Sequence, residues 1–280
     1  MDAAQSIRST GRLLRAIYET ARTRDLSMLA ASVTYYAFVS LIPLIVLALA
    51  VGSLVGGERF AEALVLLVAD ALPAEGEDIL LEILATEVGR AQATLIALPI
   101  GAWGVFKIVR GLTISFDRLY GEMELPTLRK QVIEATVVSV GIIVALTIML
   151  LVGGLIGLLR LDLGPLVVLS GWFGLFLGLT LAFLPMYYTL PPIRVTLVEA
   201  LPGTVLAAGG LTVLQLAFQA YAASASRLST YGVLGTILLF VTFLYFAGLL
   251  VMLGVVVNVA LGHPDRLVRP TTGGAADPAS

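Results

Sequence analysis

Residues 232–261 read GVLGTILLFVTFLYFAGLLVMLGVVVNVAL, and this stretch decides the fold class. It contains no Asp, Glu, Lys or Arg, and it is longer than the roughly 20 apolar residues that a helix needs to cross a hydrocarbon core. Similar apolar runs recur along the 280-residue chain, of which 59% is hydrophobic and 13% is charged. Soluble domains are only about 45–50% apolar. The sequence therefore predicts an all-α, polytopic membrane protein.

Six apolar runs are predicted to be transmembrane helices within one domain, residues 29–262. They cover about 29–55, 93–112, 132–159, 165–189, 197–222 and 232–261. Six crossings place both termini on one side of the membrane. That side holds thirteen of the Lys and Arg residues and the other side holds four, and short cytoplasmic loops are enriched in these residues. We therefore expect a multi-pass protein of the plasma (inner) membrane with cytoplasmic N- and C-termini, residues 263–280 forming a disordered tail.

The N-terminal segment, residues 1–28, is predicted to be a cytoplasmic amphipathic helix rather than a cleaved signal peptide. Its apolar face would carry Ile7, Leu14, Ile17, Tyr18 and Ala21, and its basic flank would carry Arg8, Arg12, Arg15 and Arg22. Such a helix is typical of the membrane interface, where anionic lipids of the cytoplasmic leaflet attract the basic residues. A solvated helix that packs on the protein's own loops is the alternative.

The first outer connection, residues 56–92, carries eight acidic residues against two arginines. Its segments RFAEALVLLVADAL and EDILLEILATEV have the apolar spacing of two short amphipathic helices, with Pro73 and Gly76 in the turn between them. An acidic vestibule that attracts cations is one interpretation. A solvated acidic cap on the helix bundle is the other, and it is the one we favour.

The second apolar run ends in a stripe of polar residues. Trp103, Lys107, Arg110, Asp117 and Arg118 fall within about 100° of one another on a helical wheel. Ionisable residues at membrane depth usually face a bundle interior or a water-filled cavity, so these five are the candidate contacts for a substrate or ion. Long basic side chains near the end of a membrane helix also extend to the lipid headgroups, and this alternative gives the cations no role in a pathway.

Other polar residues and prolines in the apolar runs have simpler explanations. Gln215, Gln219 and Asn258 are expected to form interhelical hydrogen bonds rather than to contact a substrate. Glu134 and Glu199 lie just inside helix starts, where the helix dipole favours a carboxylate. Positions predicted to kink or break helices or to support close helix packing are Pro43, Pro99, Pro185, Pro202 and Gly203.

Several function classes are disfavoured. The chain has no cysteine and one histidine, and its acidic residues lack the clustering of a metal or hydrolase site, so we expect neither an enzyme nor a cofactor. No Walker-type phosphate loop occurs, which argues against ATP-driven transport within this chain. Nucleic acid is not expected as a partner, because binding it would need a soluble basic surface.

Motif order along residues 28–262 resembles the YihY/BrkB family of inner-membrane proteins. The resemblance rests on AASVTYYAFVSLIPLIVLALAVGS at 30–53, WGVFKIVRGLTISFDRLYG at 103–121, YYTLPPIRVTLVEALPGTVLAAG at 187–209 and the run quoted first. It implies six transmembrane helices with cytoplasmic ends. It does not imply ribonuclease activity, because the older label of ribonuclease BN is regarded as misassigned.

Individual positions also match the pattern of that family. They are Tyr36, Pro43, Tyr120, Pro191, Arg194, Pro202, Gly203, Tyr231, Gly232, Gly235, Tyr245, Gly254 and Asn258. Val256 departs from it, since relatives commonly carry an acidic residue two positions before the asparagine. A proton or cation relay through that carboxylate is therefore not expected here.

Two functional hypotheses follow. The first is an ATP-independent transporter, exporter or lipid-handling protein for a small anionic or lipid substrate, contacted by Lys107 and Arg110. The second is a non-transporting scaffold that organises envelope components through its N-terminal helix and its acidic outer loop.

Overall fold

A computed structural model describes residues 2–41, 87–122, 127–158, 166–225 and 232–267. These ranges contain seven α-helices and no strand, so the all-α prediction is confirmed for them. The helices are α1 (Asp2–Thr23), α2 (described over Leu26–Leu41), α3 (Glu87–Tyr120), α4 (Leu128–Leu158), α5 (Leu166–Thr189), α6 (Leu197–Ala225) and α7 (Gly232–Gly262), followed by a 3₁₀ turn, Pro264–Arg266.

Three helices in the described ranges are long and apolar enough to cross a membrane. The qualifying segments are Gly171–Thr189, Leu197–Tyr221 and Ile237–Gly262, within α5, α6 and α7. The described part of α2 is apolar but shorter. Helix α3 covers the predicted run 93–112, and α4 covers residues 132–158 of the predicted run 132–159. Most of the first outer connection, with its two predicted short helices, and Pro43 lie outside the described residues.

Helix α3 extends beyond the predicted transmembrane run 93–112 and continues past Lys107 and Arg110 to Tyr120, so the predicted stripe from Trp103 to Arg118 lies on one helix. Its last turns carry Leu112, Phe116 and Leu119, which recur at helical spacing and are all buried. Gly121 then ends the helix in the left-handed conformation, with φ +88°. The amide of Glu122 donates to the Asp117 carbonyl at 2.8 Å, and the amide of Gly121 donates to the Arg118 carbonyl at 3.1 Å. This pattern is a Schellman cap, which only a residue free to adopt positive φ forms without strain.

The three described prolines that were predicted to kink or break their helices do not break them. Pro99, Pro185 and Pro202 lie inside the continuous helices α3, α5 and α6. A proline removes one backbone hydrogen bond, and in a long membrane helix contacts with neighbouring helices compensate for that loss. Gly141 of α4 makes room for the ring of Pro185, since a Cβ at Gly141 would lie 2.8 Å from Pro185 Cβ.

The chain divides into two compact units, residues 1–34 with 110–280 and residues 35–109. In the first unit α4 packs on α5, α5 on α6 and α6 on α7, while α1 contacts α7. The start of α2 also packs on α7, where Thr34 Oγ1 donates to the Leu244 carbonyl at 3.2 Å. In the second unit α2 contacts α3, since Ser40 Oγ donates to the Gly104 carbonyl at 3.1 Å.

The tightest packing in the first unit joins α5, α6 and α7. A Cβ at Gly203 would lie 2.6 Å from Asn258 Oδ1 and closer still to the Gly254 carbonyl. Tyr187, which is 1% exposed, donates its hydroxyl to the Val251 carbonyl at 2.6 Å. Small residues at this crossing let the helix backbones approach closely, as they commonly do in membrane bundles.

Two arginines connect the α1–α2 turn and the 3₁₀ turn to the end of α3. Arg24 follows α1 and donates to the carbonyls of Leu119 and Arg266. Arg266 in turn donates to the Tyr120 carbonyl at 3.2 Å and to Glu122 Oε1 at 3.0 Å. Guanidinium groups are well suited to the last carbonyls of a helix, where the dipole is negative. The α1–α2 turn, the end of α3 and the 3₁₀ turn therefore lie together at one end of this unit.

Residues 263–267, the first part of the predicted disordered tail, are ordered. The 3₁₀ turn includes its first residues, and Leu267 is only 8% exposed. The hydrogen bonds of Arg24 and Arg266 order this stretch, and they connect residues too far apart in sequence for periodicity to reveal. Residues 268–280 lie outside the described ranges.

Candidate functional site

The polar stripe of α3 begins with an exposed tryptophan and a lysine one turn later. Trp103 is 62% exposed, and Lys107 Nζ lies 5.1 Å from the centre of its ring. That distance is within the range of a cation–π interaction. Lys107 has no acidic partner among the described residues. Within the described ranges its charge is therefore supported by an aromatic face and by no carboxylate.

The remaining stripe residues do not share one environment. Arg110 is half-buried, Arg118 is exposed, and Asp117 between them is 4% exposed. Adjacent helix residues point about 100° apart, so Asp117 faces α4 while Arg118 faces away from it. The predicted single surface therefore separates into an exposed Trp103 with a half-buried Lys107 beside it and a buried carboxylate at Asp117.

Asp117 belongs to a charged cluster that the sequence reading did not identify. Lys130 of α4 places its Nζ 3.8 Å from Asp117 Oδ1 and 3.6 Å from Glu134 Oε1. The Asp117 and Glu134 side chains are 6% and 5% exposed, whereas the Lys130 side chain is 38% exposed. One solvent-accessible ammonium is thus shared by two buried carboxylates. We call Asp117, Lys130 and Glu134 the acid-pair site.

Hydrogen bonds hold one carboxylate of the acid-pair site more firmly than the other. Thr113 Oγ1, on α3, donates to Glu134 Oε2 at 2.8 Å. In the described part of the chain, Asp117 Oδ1 and Glu134 Oε1 are buried and accept no hydrogen bond. Both of these oxygens point toward Lys130, at distances longer than a hydrogen bond.

The electrostatic state of Asp117 follows from this burial. The pKa of Asp117 is raised to about 6, chiefly because burial removes solvent from the carboxylate; Lys130 lowers it, and the carboxylates of Glu134 and Glu122 raise it. Burial disfavours the charged form of an acid, and a second carboxylate nearby adds to the effect. Asp117 therefore changes its protonation state near neutral pH.

Glu134 and Glu199 were both assigned to helix starts, and only Glu199 fits that interpretation. The Thr196 amide donates to Glu199 Oε2 at 2.7 Å, and the Glu199 amide donates to Thr196 Oγ1 at 3.3 Å. This reciprocal pair is a capping box at the start of α6. Glu134 contacts α3 instead. The four-residue spacing of Lys130 and Glu134 was a visible signal, but their contact with Asp117 depends on how α3 and α4 face each other.

The three polar residues predicted within the last two helices differ in burial. Asn258 is 3% exposed; its Oδ1 accepts from the Gly203 amide at 2.5 Å and its Nδ2 donates to the Ala200 carbonyl at 3.0 Å. It thereby joins α7 to α6 beside Pro202. Gln215 is half-buried and Gln219 is exposed.

The amphipathic character of α1 is visible in its exposed apolar side chains. Leu14 and Tyr18 are 61% and 65% exposed. Arg15, on the basic flank, is exposed and pairs with Glu19 at 3.0 Å, and Arg22 is also exposed. Arg8 and Arg12 lie in the helix, but their side chains are outside the description.

A family model described as virulence factor BrkB matches residues 17–278 of this chain. No curated protein and no solved structure shows significant similarity to it. The match covers nearly the whole sequence, so the chain belongs to the virulence factor BrkB family, and the resemblance drawn from its motifs is confirmed. Family and apolar helices together make it a membrane protein.

Proposed function

We propose that this member of the BrkB family crosses the plasma membrane six times and has both termini in the cytoplasm. Exposed aliphatic side chains on α4, among them Val132, Val140 and Ile143, suit contact with lipid. The α1–α2 turn, the end of α3 and the 3₁₀ turn meet at one end of their unit. With six crossings, an even number of membrane helices separates each of these three segments from the next, so all three would lie on the same side of the membrane. The excess of Lys and Arg on that side supports a cytoplasmic location.

Within that membrane protein we place the functional surface on α3, as an ATP-independent pathway for an anionic substrate, either a small molecule or a lipid. The observation that carries this proposal is Lys107, whose ammonium lies against Trp103 and has no acidic partner in the described ranges. Arg110 follows one turn later on the same helix. A cation without a counter-charge in that part of the chain favours an anionic ligand, and intramembrane ionisable residues commonly mark substrate pathways.

A scaffold that organises envelope components is the second candidate function, and α1 is the observation that favours it. Leu14 and Tyr18 present an exposed apolar face beside the basic flank of Arg15 and Arg22. Such a helix attaches to an anionic membrane surface without taking part in transport.

Release of a panel of labelled organic anions and anionic lipids from reconstituted vesicles distinguishes the two functions. For the transporter, Lys107→Gln lowers flux at least tenfold, while Lys107→Arg retains it because the charge is preserved. Arg129→Gln is the matched control, since it removes an exposed cation that does not belong to the polar stripe. Equal flux in wild type and Lys107→Gln, together with loss of cellular function on deletion of residues 2–23, supports the scaffold instead.

A further inference from the structure

The acid-pair site has a charge imbalance that suggests a ligand. With both carboxylates ionised and Lys130 protonated, its net charge is −1, and no other cation in the described residues pairs with either carboxylate. Glu122, the nearest further acid, is itself paired with Arg266 at 3.0 Å. An uncompensated charge away from water is costly, and a protein commonly removes that cost by binding a proton.

The geometry of the carboxylates points to the same ligand. Asp117 Oδ1 and Glu134 Oε1 are buried without a hydrogen-bond donor in the described part of the chain, yet each accepts up to two hydrogen bonds when ionised. Protonation of either carboxyl group turns one acceptor oxygen into a donor. One proton therefore lowers the number of acceptor oxygens that lack a donor and also removes the net negative charge of the site.

We propose that Asp117, Glu134 and Lys130 form a proton-binding site in which the two carboxyl groups hold one proton between them. The charged groups facing the pair are Lys130 on α4 and Glu122 after α3, and Thr113 of α3 donates to Glu134. Two carboxylates that share one site do not ionise independently, so the proton belongs to the pair. Protonation makes the site neutral and weakens the attraction that draws Lys130 inward.

Access to water comes through Lys130. Its side chain is 38% exposed, whereas both carboxylates beneath it are almost fully covered. The proton therefore exchanges with solvent at the end of the unit where Arg24 and Arg266 bind the last carbonyls of α3. This site does not depend on the proposed anion pathway, because its residues are identified by their own contacts.

Infrared difference spectroscopy of the full chain in lipid nanodiscs tests the proposal, since a protonated buried carboxyl group has its own carbonyl band. The band is expected to titrate with an apparent pKa of about 6. Asp117→Asn and Glu134→Gln each leave a neutral site without a bound proton, so each lowers that pKa by about 1 unit or more. Lys130→Met removes the cation that both carboxylates share and raises the apparent pKa by about 1 unit or more.

Arg129→Gln is the matched control, because Arg129 is exposed next to Lys130 and is expected to leave the titration unchanged. A band that titrates only near the ordinary carboxyl range of about 4 overturns the proposal. A band that keeps its pKa in Asp117→Asn, or in Glu134→Gln should the first variant not fold, also overturns it. The anion-release assay is read separately, so a titrating band without flux refutes the transporter alone, and flux without a band refutes the proton site alone.

Discussion

Asp117 makes the stability of the folded chain depend on pH. Its pKa is raised to about 6, above the value of about 3.9 in an unfolded chain. The folded state therefore holds the proton more tightly, and the resulting stabilisation is complete below about pH 4 and is lost as the pH rises through 6. This direction is opposite to that of an ordinary salt-bridged aspartate.

Asp117→Asn removes that dependence, because asparagine has no charge to bury. The stability of the variant relative to wild type should rise by about 1–2 kcal/mol between pH 5 and pH 8. Thermal unfolding in detergent at both pH values measures this change. A constant difference between variant and wild type across that range would contradict the assignment.

Gly203 tests the packing of α6 against α7. A Cβ at this position meets the Gly254 backbone and the Asn258 side chain, and neither is the free end of a flexible chain. Gly203→Ala should therefore cost about 1–3 kcal/mol or more through overpacking. Gly209→Ala on the same helix is the control, since its nearest neighbour would be Phe176 Cε2 at 3.6 Å, an ordinary contact. Equal thermal stability of the two variants would refute this packing.

Residue-level features differed in how far the sequence revealed them. The pattern around Pro202, Gly203 and Asn258 marked a packing site because small and polar residues in apolar runs have few other uses. The acid-pair site was missed because Asp117 and Glu134 belong to different helices. No periodicity in one helix reports which face of a neighbour it meets.

At the scale of elements, helix boundaries followed apolar periodicity better than charge. The predicted transmembrane run ends near residue 112, whereas α3 itself continues, as the helical wheel through Arg118 requires, until Gly121 caps it. Buried Phe116 and Leu119 keep the helical spacing beyond that point. The end of the helix is therefore set by the positive-φ glycine cap and not by the change in polarity near residue 112.

Helix α1 should lie in the lipid headgroup region with Leu14 inward. A fluorophore attached at position 14 is expected to be quenched by lipid-chain quenchers, because this exposed apolar side chain would enter the bilayer. A fluorophore at position 15, on the charged flank, is expected to be quenched by an aqueous quencher instead. Equal aqueous quenching at both positions would favour the solvated alternative.

At the scale of the whole molecule, composition predicted a helical membrane protein, and the family match agrees with it. The meeting of residues 24, 119 and 266 was not predictable, because these contacts join distant parts of the chain. The sequence predicted Lys107 and Arg110 as substrate contacts, and the structure adds that Lys107 lies against an exposed tryptophan. Whether water reaches that surface decides between the two proposed functions.

Labelling of single cysteines with a membrane-impermeant thiol reagent measures that access, and the chain has no cysteine of its own to interfere. Cysteines at positions 103, 118 and 143 would be labelled in intact cells and in inverted membrane vesicles. A pathway along α3 predicts that position 103 is labelled from both sides, that 118 is labelled from the cytoplasmic side, and that lipid-facing 143 is not labelled. Labelling of 118 alone, with 103 protected from both sides, would contradict the pathway and leave α3 as a membrane anchor.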